Sequence, residues 1–331
     1  MFSIRNRLVQ AEHVSSPKVH SEEAHVQTGR DAEKSLLCAL EKRGVNRSDI
    51  FCGLRVPDDF QMRKHEIDLV VLTGNGIYVI EVKNWSGTVT VSKDGKSWIQ
   101  RKSERSSEHA SIEYDLKHDN VLEQQRLRAN LLRNHLIRKD ICLPMKVFRP
   151  YVVFMNDRIK LPDDLASMKE IILPERYTQF LESFQFTYLS SIRDALVPGF
   201  ISGQLSYSSM ESTRAVLKSI GTWDVIQLNG GKQLIGDFKS CSQISPNRQE
   251  TEKLQFVHQR NAITATLWAI LGYTPQVSVS MLQRGGTGWI WNASNGSINI
   301  PYNMSITFRI AGEELDSQIP ANEIDYIQIS I

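Results

Sequence analysis

Hydrophobic and polar positions change period several times along this chain. Leu36, Leu37 and Leu40 recur at helical spacing, and Gly44 offers a C-terminal stop, so a helix is predicted over residues 28–42. Two Val/Ile/Leu-rich runs follow at 66–72 and 77–83, joined by Thr73-Gly74-Asn75-Gly76. Gly and Asn tolerate the positive φ of tight turns, so this pair predicts a hairpin. Short strands are expected at 89–91 and 97–100 around Lys93-Asp94-Gly95-Lys96, and polar residues 101–119 read as a loop. A long helix is expected over 120–138, then a compact apolar strand at 151–154. From Gly221 onward the runs 223–228, 232–238, 277–282, 288–291, 305–310 and 325–331 read as strands, with one helix over 251–271. The pattern divides the chain into a loose tail (1–25), an α/β domain (26–155), a mostly helical connection (156–220) and a separate β-rich α+β domain (221–331). A length of 331 residues is in keeping with more than one domain.

The predicted hairpin carries the candidate chemistry. Its register sets Asp68 opposite Glu81 and Glu66 opposite Lys83, and alternation puts Glu81 and Lys83 on one face. Like charges directly opposite on a sheet repel. A divalent cation relieves that repulsion, and oxygen-only donors suit Mg²⁺ or Mn²⁺. Such an ion binds a phosphodiester oxygen and acidifies a bound water, while a lysine stabilises developing charge. The same residues also allow a purely structural pairing, in which Lys83 neutralises Glu66 or Glu81. Glu33 stands on the stripe of Leu36, Leu37 and Leu40, where a carboxylate needs a partner, a metal or a route to water. Gln124 stands three and seven residues before Leu127 and Leu131. It is placed either to hold a neighbouring ligand or the scissile phosphate, or as an exposed amide.

Charge adds a direction. Residues 84–150 hold 13 Lys/Arg against 8 Asp/Glu, whereas 311–331 hold five acids and no base. The first stretch suits a polyanion or is simply a solvated face, and Arg126, Arg133 and Arg138 are its candidate phosphate contacts if they face outward. Trp85 is either a base-stacking residue or a cap on the sheet edge, and Trp289 and Trp291, near Arg284, offer the same choice between stacking platform and core. No run of 18 apolar residues occurs, and the first residues lack an apolar signal core, so no membrane partner is expected. The four cysteines, Cys38, Cys52, Cys142 and Cys241, form no Cys-x-x-Cys pair, so an intracellular location, cytoplasm or nucleus, is the expectation.

Four ordered elements resemble a known family. These are Gly29-Arg-Asp-Ala-Glu33, Glu66-Ile-Asp68-Leu-Val-Val-Leu, Tyr78-Val-Ile-Glu81-Val-Lys83-Asn84-Trp85-Ser-Gly87 and Asn120-Val-Leu-Glu-Gln124. Together they resemble the nuclease-related domain, NERD, of the PD-(D/E)xK nuclease superfamily. In the last element Val121 stands where the family carries proline. The resemblance implies a restriction-endonuclease-like core, a mixed sheet flanked by helices. It implies Glu33, Asp68 and Glu81 as metal-site acids, Lys83 as catalytic lysine and Gln124 as a further site residue. The expectation is a Mg²⁺- or Mn²⁺-dependent nuclease with nucleic acid, DNA rather than RNA, as substrate. Two rivals stand beside it: a non-catalytic nucleic-acid-binding or scaffold protein that keeps the fold, and a chain whose C-terminal domain binds a partner.

Overall fold

The computed structural model describes residues 6, 9, 12, 18–21, 23–60, 63–105, 111–193, 205–258, 266–267, 270–285 and 294–331. The chain is mixed α/β, with several sheets and few helices, and divides into two compact units: residues 24–222, and residues 1–23 with 223–331.

The first unit begins with helix α1 (Ala24–Lys42), which ends at Gly44 with φ +90°. Strands β1 (Ile50–Pro57), β2 (Lys64–Thr73) and β3 (Gly76–Lys83) run antiparallel. The small strand β4 (Gly87–Val91) leads into β5 (Ser97–Arg105) and β6 (Ser111–Asp119), and helix α2 (Val121–Ile137) follows, capped by the Asn120 side chain. Strand β7 (Phe148–Phe154) then lies parallel to β3. The remainder is β8 (Ile159–Lys160), α3 (Asp163–Ala166), β9 (Ile171–Ile172), α4 (Pro174–Arg193) and α5 (Tyr207–Ser219). The main sheet has the order β1-β2-β3-β7-β9, and a second sheet has the order β6-β5-β4-β8.

Both faces of the main sheet are covered. Leu69, Val71, Tyr78 and Ile80 pack with Leu36 and Leu40 of α1 and Phe180 and Phe184 of α4. Val70, Leu72, Ile77 and Val79 pack with Ala129, Leu132 and Leu136 of α2 and Leu217 of α5. Helices α4 and α5, within the stretch 156–220 expected as a mostly helical connection, thus help to cover the two faces. Arg214 of α5 also binds the buried Asp49 at 2.6 Å, just before β1. A loop was expected over 101–119, yet this stretch is a two-stranded ribbon paired from Ser97↔Asp119 to Arg105↔Ser111. Arg101, Ser103, Glu113 and Asp115 are exposed and polar, so the apolar alternation that marks a half-buried strand is missing there.

The second unit is an eight-stranded antiparallel sheet of β10 (Asp224–Leu228), β11 (Gln233–Cys241), β12 (Thr251–His258), β13 (Gln276–Gln283), β14 (Ser294–Pro301), β15 (Ser305–Ile310), β16 (Ser317–Pro320) and β17 (Ile324–Gln328). The helix expected over 251–271 is wrong at its start. Leu254 and Phe256 are buried while Val257 is exposed, a period of two that pairs β12 with both β13 and β17. The strand expected at 288–291, with Trp289 and Trp291, lies outside the described residues. Arg284 donates to the carbonyls of Arg248, Thr251 and Ile329. Within the tail expected over 1–25, His20 exchanges backbone hydrogen bonds with Asn229 and Lys232 and pairs with Glu323 at 2.7 Å. The four cysteines are free. Among the described residues no helix is long and apolar enough to cross a membrane.

Candidate functional site

The hairpin register predicted from sequence is present from Thr73↔Gly76 to Leu69↔Ile80, where the pairing stops. Beyond that rung β2 continues against β1 as far as Lys64, and β3 continues against β7 as far as Lys83. The two strands part where Asp68 and Glu81 stand, so neither the Asp68–Glu81 rung nor the Glu66–Lys83 rung exists as a backbone pair. Instead the Val82 N–H donates to Asp68 Oδ2 at 2.8 Å, and the side chain takes over a bond that the ladder gives up. Asp68 and Glu81 thus stand where the two strands part.

Glu81 is nearly fully buried and ion-paired on both oxygens. Lys83 Nζ lies 2.6 Å from its Oε1, and the Arg128 guanidinium of α2 reaches its Oε2. A buried carboxylate needs such partners, because losing either would leave charge uncompensated. Asp68 is pushed well above the usual carboxylate range, first by enclosure in protein and then by the Glu81 charge. Glu33 of α1 is half-buried, and its pKa rises from 4.5 to about 7. Desolvation is the main cause, followed by the charges of Glu66 and Glu81, against which Lys83 and Arg30 pull in the other direction. Four acids from three elements, Glu33, Glu66, Asp68 and Glu81, thus share one field.

Gln124 and its neighbour are arranged otherwise. The buried residues of α2 include Leu122, Gln125, Ala129, Leu131, Leu132 and Leu136, while Leu127 is 43% exposed, so of the stripe expected through Gln124, Leu127 and Leu131 only Leu131 is buried. Gln124 is half-buried. Gln125 is fully buried, its Oε1 lies 3.4 Å from Arg128 Nη1, and its amide nitrogen has no partner. Sequence reading missed Gln125 and Arg128, although their position on the Leu122–Leu132 line was the available signal.

The predicted phosphate contacts also have protein partners. Arg126 bonds Glu123 and Glu170, Arg133 the carbonyl of Leu143, and Arg138 both Asp59 and the carbonyl of Pro57. Trp85 packs: its ring stacks on His118 at 4.2 Å and meets Trp98 edge-on at 6.5 Å. Gly87 after it has φ +88°, and a Cβ there would come within 2.2 Å of the Arg101 carbonyl oxygen, so the Asn84-Trp85-Ser-Gly87 turn requires glycine.

The donor set is chemically suited to a hard divalent cation, since Glu33, Asp68 and Glu81 offer only oxygens and two of them resist ionisation where they stand. Among the described residues, no three His, Cys, Asp or Glu side chains form a ready metal cage. The pairing of Glu81 with Lys83 and Arg128 occupies the oxygens that such a cage would use.

No curated protein and no solved structure matches the chain. Residues 28–155, which hold Glu33, Asp68, Glu81, Lys83 and Arg128, match the family model of the nuclease-related domain, NERD.

Proposed function

We propose that the first unit is a restriction-endonuclease-like core acting as a Mg²⁺- or Mn²⁺-dependent nuclease, with DNA rather than RNA as substrate. The observation that carries this reading is the parting of β2 and β3 after Leu69↔Ile80, with Asp68, Glu81 and Glu33 crowded against Lys83 at the opening. Carboxylates held close enough to raise each other's pKa are a mark of functional sites. The mixed sheet, with helices on both faces, supports the fold assignment.

Asp68, Glu81 and Glu33 would hold the cation. When bound, it supplies a Lewis acid for the phosphodiester and a more acidic water. Lys83 places an ammonium at the mouth of the site, where it stabilises charge developing on the phosphate. Arg128 is the second cation at Glu81 and offers a planar fork to a phosphate oxygen. Gln125, with a free amide N–H, holds Arg128 in place.

A second reading, a nucleic-acid binder that keeps the fold, draws on the double ion pairing of Glu81. Calorimetry with Mn²⁺ separates the two. The nuclease reading expects binding that Asp68→Asn abolishes. Equal binding by that variant, or none by the unaltered protein, favours the binder.

A further inference from the structure

The ribbon β5–β6 has two unlike faces. Its register pairs Trp98↔His118, Gln100↔Leu116 and Lys102↔Tyr114 on one side, and Ile99↔Lys117, Arg101↔Asp115 and Ser103↔Glu113 on the other. The second side is self-neutralised: Arg101 makes a two-pronged contact with Asp115 at 3.0 and 3.3 Å. The first side continues with Glu104↔Ile112 and differs in carrying the aromatic residues. Lys102 is half-buried and pairs with no carboxylate among the described residues, and Tyr114 opposite it is 38% exposed.

This same side adjoins the site. His118 stacks on Trp85, and Lys83 Nζ lies 5.9 Å from the Trp85 ring centroid. The buried Gln100 fixes the imidazole: its amide nitrogen donates to the Ser86 carbonyl at 2.7 Å, so its oxygen is left to accept from His118 Nε2 at 3.2 Å. The His118 Nδ1 edge therefore remains for another partner. Burial, together with the charges of Lys83 and Lys102, holds the His118 pKa below its usual value, which sets both ammonium groups in the field of one ring. From His118 to Tyr114 the strand advances four residues, about 13 Å. Cation, aromatic, cation and aromatic thus alternate outward from Lys83.

We propose that the Trp85–His118–Lys102–Tyr114 face of this ribbon is a track for single-stranded nucleic acid leading to the Lys83 site. The inference rests on the nuclease reading and names the form of its substrate. An unpaired base has a free π-face for Tyr114, and the phosphate beside it meets Lys102, the pairing of stacking and charge that suits unpaired strands. A duplex hides its π-faces and gives Tyr114 nothing to stack on.

The test uses the full chain with a fluorescein-labelled oligothymidylate and a duplex of equal length, read by anisotropy across a salt series in chelator, so that cleavage plays no part. Tyr114→Ala is expected to weaken oligothymidylate binding on the order of 10- to 100-fold and to spare the duplex. Lys102→Ala is expected to lower the salt slope for oligothymidylate by about 0.7. Arg101→Ala, on the neutralised side, should change neither. Unaltered binding by both track variants, equal loss from Arg101→Ala, or stronger binding of the duplex overturns the inference. A track that behaves as expected in a protein that cleaves nothing would sink the nuclease reading and leave this one standing.

Discussion

Replacing Glu33 by glutamine keeps the shape of the side chain and removes its charge. A carboxyl whose pKa rises from 4.5 to about 7 in the folded protein is penalised when charged by at most about 3 kcal/mol. Glu33 is only half-buried, and solvent screening reduces this to about 1–2 kcal/mol. The folded pKa lies above the unfolded one, so the unaltered protein keeps this contribution below pH 4.5 and loses it as the pH rises through about 7. Glu33→Gln should therefore match the parent near pH 4.5 and exceed it by about 1–2 kcal/mol at pH 8, as read by urea unfolding at both pH values. Saturating Mg²⁺ should erase the advantage at pH 8, since a bound cation favours the charged carboxylate. A variant less stable than its parent at pH 8 would refute the reasoning. It would mean that Lys83 and Arg30 outweigh desolvation and the neighbouring acids.

Arg128→Met should raise Mn²⁺ affinity in calorimetry, because it frees one Glu81 oxygen, and an unchanged or lower affinity would show that Glu81 does not meet the ion. In the second unit Asp224 is almost wholly buried, accepting from the Phe238 and Ser330 N–H groups and from both Arg248 terminal nitrogens at 2.7–2.9 Å. Arg248→Met should then cost about 3–5 kcal/mol in urea unfolding, and a loss under about 1 kcal/mol would show that the two backbone donors suffice.

The hairpin 64–83 was legible because two apolar runs flank a glycine-rich turn, and its register followed from the turn. Where that register ends was not legible. Nothing local marks Leu69↔Ile80 as the last rung, since β2 and β3 remain paired with β1 and β7 on both sides of it. Glu33 was readable from its stripe because Leu36 and Leu40 are fully buried as the spacing implied. On α2, leucines line more than one side: of the expected stripe Leu131 is buried but Leu127 is exposed, and following that stripe from Gln124 passed over Gln125 and Arg128. The three arginines named from charge excess have partners distant in sequence, such as Asp59 for Arg138 and Glu170 for Arg126, which no spacing rule reveals. Of the ribbon, 97–100 was expected as a strand, while 101–119 escaped because its polar residues show no apolar alternation.

The central claim is that Lys83 acts on a phosphodiester and does more than neutralise Glu81. Lys83→Ala measured for cleavage of single-stranded and duplex DNA with Mg²⁺ or Mn²⁺, and for melting temperature on the same sample, decides it. The account predicts a rate loss of about 10²–10³-fold, by analogy with other preorganised electrostatic groups, with Mn²⁺ and oligothymidylate still bound. Full cleavage with a lowered melting temperature would contradict it and leave Lys83 a counter-ion to a buried carboxylate.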